Sequence, residues 1–286
     1  MLNAFDYDEA FSRKVGWVTE AELQRLRGKR VAIAGLGGVG GAHLLALTRL
    51  GVGAFNIADL DVFEVANFNR QFGATMSQLE RPKVDVMAEL ALDINPELDI
   101  RRFPQGIDHT NSDTFLRDVD LYIDGLDFFV MDAREAVFAA CAGSSIPAIT
   151  AAPLGWGVAM MAFLPGGMTF EEYFQLRGQQ QLEKLRRFLV GLSPTGLQLG
   201  ALVDPSRLDI EEQRGPSTAV GVYLCAAIAA GNAVKILLER GDVPCAPTSL
   251  QFDTFANAYD LVKREGGIRH PEMQTRLAAL RVQQPN

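Results

Sequence analysis

Seven residues constrain this chain more than any others: Gly35-Leu-Gly-Gly-Val-Gly-Gly41. They satisfy G-x-G-x-x-G in the context that gives the pattern meaning. A compact apolar run, residues 30–34, precedes them, and a helical segment, 42–50, follows and is ended by Gly51. Small residues let backbone approach an anion, and free N–H groups at a helix start point at it. Residues 54–58 read as a second strand ending at Asp59, where a carboxylate can accept hydrogen bonds from ribose hydroxyls. The glycine pattern alone serves NAD, FAD, S-adenosylmethionine or ATP.

The alternation continues. Residues 82–94 read as a helix with proline at its first turn, stopped by Asn95-Pro96. Residues 98–103, 121–123 and 148–150 read as strands, and 132–142 as a helix. Thr19-Glu-Ala-Glu22 is a capping box before a short helix. The expected fold is α/β: a Rossmann-like, doubly wound, mostly parallel sheet extended by a C-terminal antiparallel part. Residues 1–153 form a nucleotide-binding α/β unit with an N-terminal helical arm. Residues 154–286 form an attached region. In it, 157–164 read as a strand, 170–189 as an amphipathic helical insertion and 191–216 as a mobile loop. A core helix to about residue 239 and a terminal hairpin, 249–255 with 258–262, complete it.

Composition enters through exclusion. With 27 basic and 35 acidic residues the formal charge is −8, which argues against a nucleic-acid partner. Residues 215–234 carry no charge, yet are rich in Ala and Gly and hold Ser217, Thr218 and Asn232; they read as a buried core helix, and no membrane association is expected. The N-terminus shows no basic-then-apolar run, so the expected location is cytoplasmic. Cys141, Cys225 and Cys245 form no C-x-x-C, so no zinc site is expected. His43, His109 and His270 lack metal-ligand spacing.

The segment after Asp59 narrows the ligand. Asn67, Arg70, Gln71 and Lys83 bring donors to a phosphate site already supplied with backbone N–H groups. Arg and Lys there suit a polyphosphate and charge that develops in transfer. Asp127 follows another strand end, where one carboxylate can hold Mg²⁺ against phosphates.

Taken together, G-x-G-G-x-G, D-x-D, N-x-N-R-Q, R-P-K and D-x-x-D resemble the ThiF/MoeB family, relatives of the ubiquitin-activating enzymes. The resemblance implies an ATP-dependent adenylyltransferase that activates a carboxylate and releases pyrophosphate. The substrate would be unidentified, with the C-terminus of a small ubiquitin-fold protein or a peptide as a candidate. It implies ATP and Mg²⁺ as cofactors and a homodimer. By matching position, Gly35, Gly37, Gly38 and Gly40 form the loop, with Gly38 under the phosphates, and Asp59 holds ribose. Asn67, Arg70 and Lys83 contact the triphosphate, Gln71 belongs to the same motif, and Asp127 binds metal. Arg13 matches an arginine that reaches into the neighbouring subunit's site. The chain departs from the family in lacking two C-x-x-C pairs and a cysteine in loop 191–216. Adenylation is therefore supported and a covalent cysteine relay is not. The alternatives are an NAD- or FAD-dependent oxidoreductase, a tRNA-modifying dehydratase of the same family, and a non-catalytic scaffold subunit.

Overall fold

A computed structural model describes residues 5–209 and 215–283. In chain order the elements are α1 (Tyr7–Phe11), α2 (Glu20–Arg27), β1 (Arg30–Ala34), α3 (Gly38–Arg49), β2 (Ala54–Ala58), α4 (Lys83–Ile94), β3 (Asp99–Phe103), α5 (Ser112–Phe115), β4 (Leu121–Asp124), α6 (Met131–Gly143) and β5 (Ala148–Leu154). There follow β6 (Gly157–Phe163), α7 (Phe170–Phe174), α8 (Gln181–Leu192), α9 (Ala219–Leu238), β7 (Thr248–Asp253), β8 (Ala258–Lys263) and α10 (Pro271–Gln283).

Eight strands form one sheet in the order β3-β2-β1-β4-β5-β6-β7-β8. The pairs from β3 to β5 are parallel, and β6, β7 and β8 add antiparallel. The mostly parallel sheet with an antiparallel extension is the architecture expected from the sequence. Side-chain alternation explains its two cores. Val31 and Ile33 of β1 pack on one face, in a core shared with residues of α3, α4 and α9. Ala32 and Ala34 point to the other face, in a core shared with α6, α7, α8 and α10. All five residues of β1 are buried, as a central parallel strand requires.

Helix starts follow local chemistry. The Thr19 hydroxyl accepts the Glu22 N–H while the Glu22 carboxylate accepts the Thr19 N–H, so the capping box is formed. Helix α9 is long and apolar enough to cross a membrane. Here Gly221, Cys225, Ala229 and Ala233 bury one face of it, against α3, β5 and β6. Gly221 permits the approach, because a Cβ there would sit 2.8 Å from the Gly155 carbonyl oxygen.

Two segments differ from the sequence reading. The single helix expected over 170–189 is two helices. Gln175 adopts a left-handed φ of 54° and ends α7, and Gly178 (φ 76°) turns the chain into α8. Aromatic packing outweighs helical continuity here: Phe174 meets both Phe170 and Phe188, with centroids 4.7 and 5.2 Å apart. The hairpin β7–β8 does not end the chain, because α10 follows and buries Met273 and Leu277. The first residues of loop 191–216 are bonded to the sheet. The Ser193 hydroxyl lies 2.9 Å from Gln198 Oε1 and 2.7 Å from Gln251 Oε1. The Gln198 amide donates to the Val158 carbonyl. Residues 210–214 of that loop lie outside the described residues.

Candidate active site

The carboxyl ends of β1, β2, β4 and β5 open into a cavity of about 420 Å³. An open α/β sheet collects ligands at such a place, where the strand order reverses; here that is between β1 and β4.

The polar wall begins with the glycine loop. Gly35 has φ 82°, and a Cβ on it would collide with the Gly125 backbone. A Cβ on Gly40 would overlap the Gly35 carbonyl. These two glycines let loop, helix and neighbouring strand meet, whereas Gly37 and Gly38 line the cavity where α3 begins. Asp59 clamps the loop. Its Oδ2 accepts the Leu36 N–H at 2.6 Å and its Oδ1 accepts the Asp61 N–H at 2.8 Å. Burial pushes the Asp59 carboxyl above its ordinary range against the pull of those N–H groups and of Lys83.

Lys83 opens α4. It is 6% exposed, and its ammonium donates to Asp61 Oδ2 at 2.9 Å. Asp61 lines the cavity but is absent from the residues singled out by sequence; the D-x-D pattern at 59–61 was the available signal. Arg70 and Gln71 arrive from the long loop after β2. Arg70 Nη1 donates to the Ala66 carbonyl and to Asn69 Oδ1. Gln71 is buried beside Gly37, and its Oε1 has no hydrogen-bond partner. Asn67 does not line the cavity. Its Oδ1 accepts the Glu64 N–H, and its carbonyl accepts the N–H groups of Arg70 and Gln71. It therefore holds the turn that presents both side chains. Arg13 is exposed in a 3₁₀ turn, Ser12–Lys14, and is not part of its own chain's cavity.

The opposite wall begins where β4 ends at Asp124. Asp127 lines the cavity with an exposed carboxylate, whose Oδ1 accepts the Phe129 N–H. The loop that carries it is organised by Arg134 of α6, which is 2% exposed. Arg134 Nε donates to Asp124 Oδ2 at 2.8 Å, and Nη2 donates to the carbonyls of Leu126 and Asp127 at 2.7 and 2.9 Å. Nη1 donates to the carbonyls of Phe128 and Val130. Thr150 of β5 donates to the same Asp124 oxygen at 2.9 Å. The Arg134 guanidinium lies 4.6 Å from the Phe188 ring centroid, which joins this loop to α8. Asp124, Arg134 and Thr150 were missed by sequence reasoning. Asp124 was visible as a strand end, but nothing local marks Arg134 as its partner.

The arrangement can bind a polyanion through the N-terminus of α3, Arg70 and Lys83. Among the described residues no group of three His, Cys, Asp or Glu side chains could hold a metal by itself. Asp127 offers one hard oxygen donor across from the cationic wall, which suits Mg²⁺ shared between a carboxylate and phosphates. No cysteine lines the cavity. Cys141 and Cys225 are buried, and burial pushes both thiols up, away from the reactive thiolate.

Comparisons with known proteins identify the family. The ThiF family model matches residues 11–272. The chain is 31% identical over 142 residues to the sulfur carrier protein ThiS adenylyltransferase of Escherichia coli, across 50% of this chain and 56% of that protein. It is 39% identical over 100 residues to the tRNA threonylcarbamoyladenosine dehydratase of Bacillus subtilis, across 35% and 37% of the two chains. These matches span little more than half of the first relative's length and about a third of the second's. The crystal structure of Escherichia coli MccB with ATP shares the fold, with a TM-score of 0.66 and 17% identity over 94% of this chain and 74% of that one. The family match takes in the glycine loop, the cationic wall, Asp127 and the antiparallel strands alike, and on that extent the chain belongs to the ThiF family.

Proposed function

We propose that this chain adenylates a carboxylate with ATP and releases pyrophosphate. One observation carries the reading: the glycine loop, Arg70, Gln71 and Lys83 face Asp127 across a single cavity. A carboxylate oxygen attacks the α-phosphorus, an acyl–adenylate bond forms, and the bond to pyrophosphate breaks. Such a step needs positioning and charge neutralisation more than proton transfer. Lys83 and Arg70 supply cations at the helix N-terminus, Asp59 has lone pairs left for ribose hydroxyls, and Asp127 would hold Mg²⁺, which further neutralises the phosphates. The name of the Escherichia coli relative supports adenylation of a small carrier protein, and a peptide or protein C-terminus is the substrate type proposed.

A nicotinamide- or flavin-dependent reaction would leave Arg70 and Lys83 without a task. A dehydratase reading has a specific support in the Bacillus subtilis relative, but the net charge of −8 opposes tRNA binding. Exposed Arg13, outside its own cavity, supports a homodimer in which it serves the partner's site. The test is calorimetry with ATP–Mg²⁺ and with NAD, together with ATP–pyrophosphate exchange against carboxylate-terminated peptides and carrier proteins. ATP–Mg²⁺ should bind and exchange should depend on a carboxylate. Tight NAD binding with none for ATP–Mg²⁺ would refute the proposal.

A further inference from the structure

The sheet order divides the cavity. Asp59 follows β2, the glycine loop follows β1, Asp127 follows β4, and Leu154 ends β5. Crossing the cavity in that order, one meets the carboxylate placed for ribose, the anion cradle, Asp127, and then a wall of different chemistry. That last wall is built from Leu126, Phe128 and Phe129 after β4, Leu154 of β5, and Phe188 and Leu189 of α8. All except Phe188 are partly accessible. Its ionic groups are already committed. Asp124 is occupied by Arg134 and Thr150, and Arg134 by Asp124 and four loop carbonyls. Among the described residues that line the cavity, the two cations with room for a ligand, Arg70 and Lys83, belong to the opposite wall.

If nucleoside and phosphates fill the β2–β1 side, the acceptor carboxylate must enter from the β4–β5 side. It then carries its neighbouring substituent against this apolar wall. We infer that the substrate's terminal residue bears a bulky apolar side chain, aromatic or branched aliphatic, next to the carboxylate that is activated. Glycine would leave the wall unfilled, and burying apolar surface here is favourable. An acidic substituent would meet the Asp127 carboxylate with no free cation among the described residues of this part of the wall. The inference rests on the adenylation reading and adds the substrate class to it.

Stable adenylate mimics separate the two claims, because their binding needs no turnover. The probes are 5′-O-sulfamoyladenosine and its N-acetylphenylalanyl, N-acetylleucyl, N-acetylglycyl and N-acetylaspartyl conjugates, with binding measured by calorimetry. The phenylalanyl and leucyl conjugates should bind at least tenfold tighter than the glycyl one, and the aspartyl conjugate weakest. Phe129→Ala with Leu189→Ala should shrink the phenylalanyl-to-glycyl ratio to threefold or less. Leu189→Arg should raise the affinity of the aspartyl conjugate relative to the leucyl one. Binding of all four conjugates within threefold of one another, with sulfamoyladenosine itself bound, would overturn the side-chain inference and leave adenylation standing. Failure of sulfamoyladenosine and of every conjugate to bind would overturn both.

Discussion

The buried pair at the base of the Asp127 loop gives the sharpest mechanical prediction. Arg134→Met keeps an unbranched side chain of similar length and deletes the guanidinium. Asp124 is 4% exposed and would be left with the Thr150 hydroxyl, the Leu126 N–H at 3.2 Å and a long contact to the Tyr122 hydroxyl. Orphaning a buried charge costs about 3–5 kcal/mol. The four carbonyls freed from Arg134 add less, because the loop borders the cavity and water can reach it. A loss of about 4 kcal/mol is therefore expected, a large part of the roughly 5–15 kcal/mol by which a domain is stable. Asp124→Asn should also destabilise, by leaving the cation unpaired. The double variant removes both charges and should recover at least ~2 kcal/mol relative to the sum of the single losses. Urea unfolding at neutral pH, followed by circular dichroism, measures all three. An Arg134→Met cost below ~1 kcal/mol, or simple additivity in the double variant, would show that the pair does not hold this loop.

Other outcomes follow from single groups. Arg70→Ala and Lys83→Ala should each lower pyrophosphate exchange at least ~10²-fold with unchanged circular dichroism, since each removes a cation worth ~3 kcal/mol from a phosphate site; near-wild-type exchange in both would make them surface charges. His43 is fully buried with neither ring nitrogen paired, and burial lowers its pKa from 6.5 to about 3. The unfolded chain then binds the proton first, so stability is full above pH ~6.5 and falls by ~1.4 kcal/mol per unit as pH drops towards 3, about 2 kcal/mol by pH 5; His43→Leu should flatten that slope in urea titrations, and an unchanged slope would contradict the assignment. A triple Cys141, Cys225 and Cys245 to Ser variant should keep pyrophosphate exchange, and loss of exchange in a soluble, folded triple variant would expose a required thiol.

Much of the fold was legible because its signals are local. The β1 strand, the glycine turn, the Thr19–Glu22 capping box and the Pro82 helix start are each written in a few contiguous residues. The break at Gln175 was not, because 170–189 has helical periodicity and only the packing of Phe174 against Phe170 and Phe188 decides otherwise. Helix α10 does carry signals of its own: Pro271 at its start, then Met273, Leu277 and Leu280 on one side. They are faint beside the preceding hairpin.

The site divides in the same way. Its polar wall comes from one stretch, residues 35–83, in which loop, strand end and helix start follow each other in sequence, so residue types and spacing reveal it. The placement of Asn67 is the exception. It stands among the donors in sequence yet turns its side chain to Glu64, and acts on the cavity only through the backbone it holds. The apolar wall has no such continuity. It is assembled from the ends of β4 and β5 and from α8, which follows only after β6 and α7, and one buried arginine ties those parts together. Phosphate chemistry needs a fixed pattern of small and cationic residues close in the chain, so it leaves a motif. Recognition of the acceptor needs only apolar surface brought to the right edge of the sheet, which many sequences can supply. For that reason the family was readable from residue order, whereas the wall from which the acceptor's side chain is inferred comes into view only with α8 packed against the Asp127 loop.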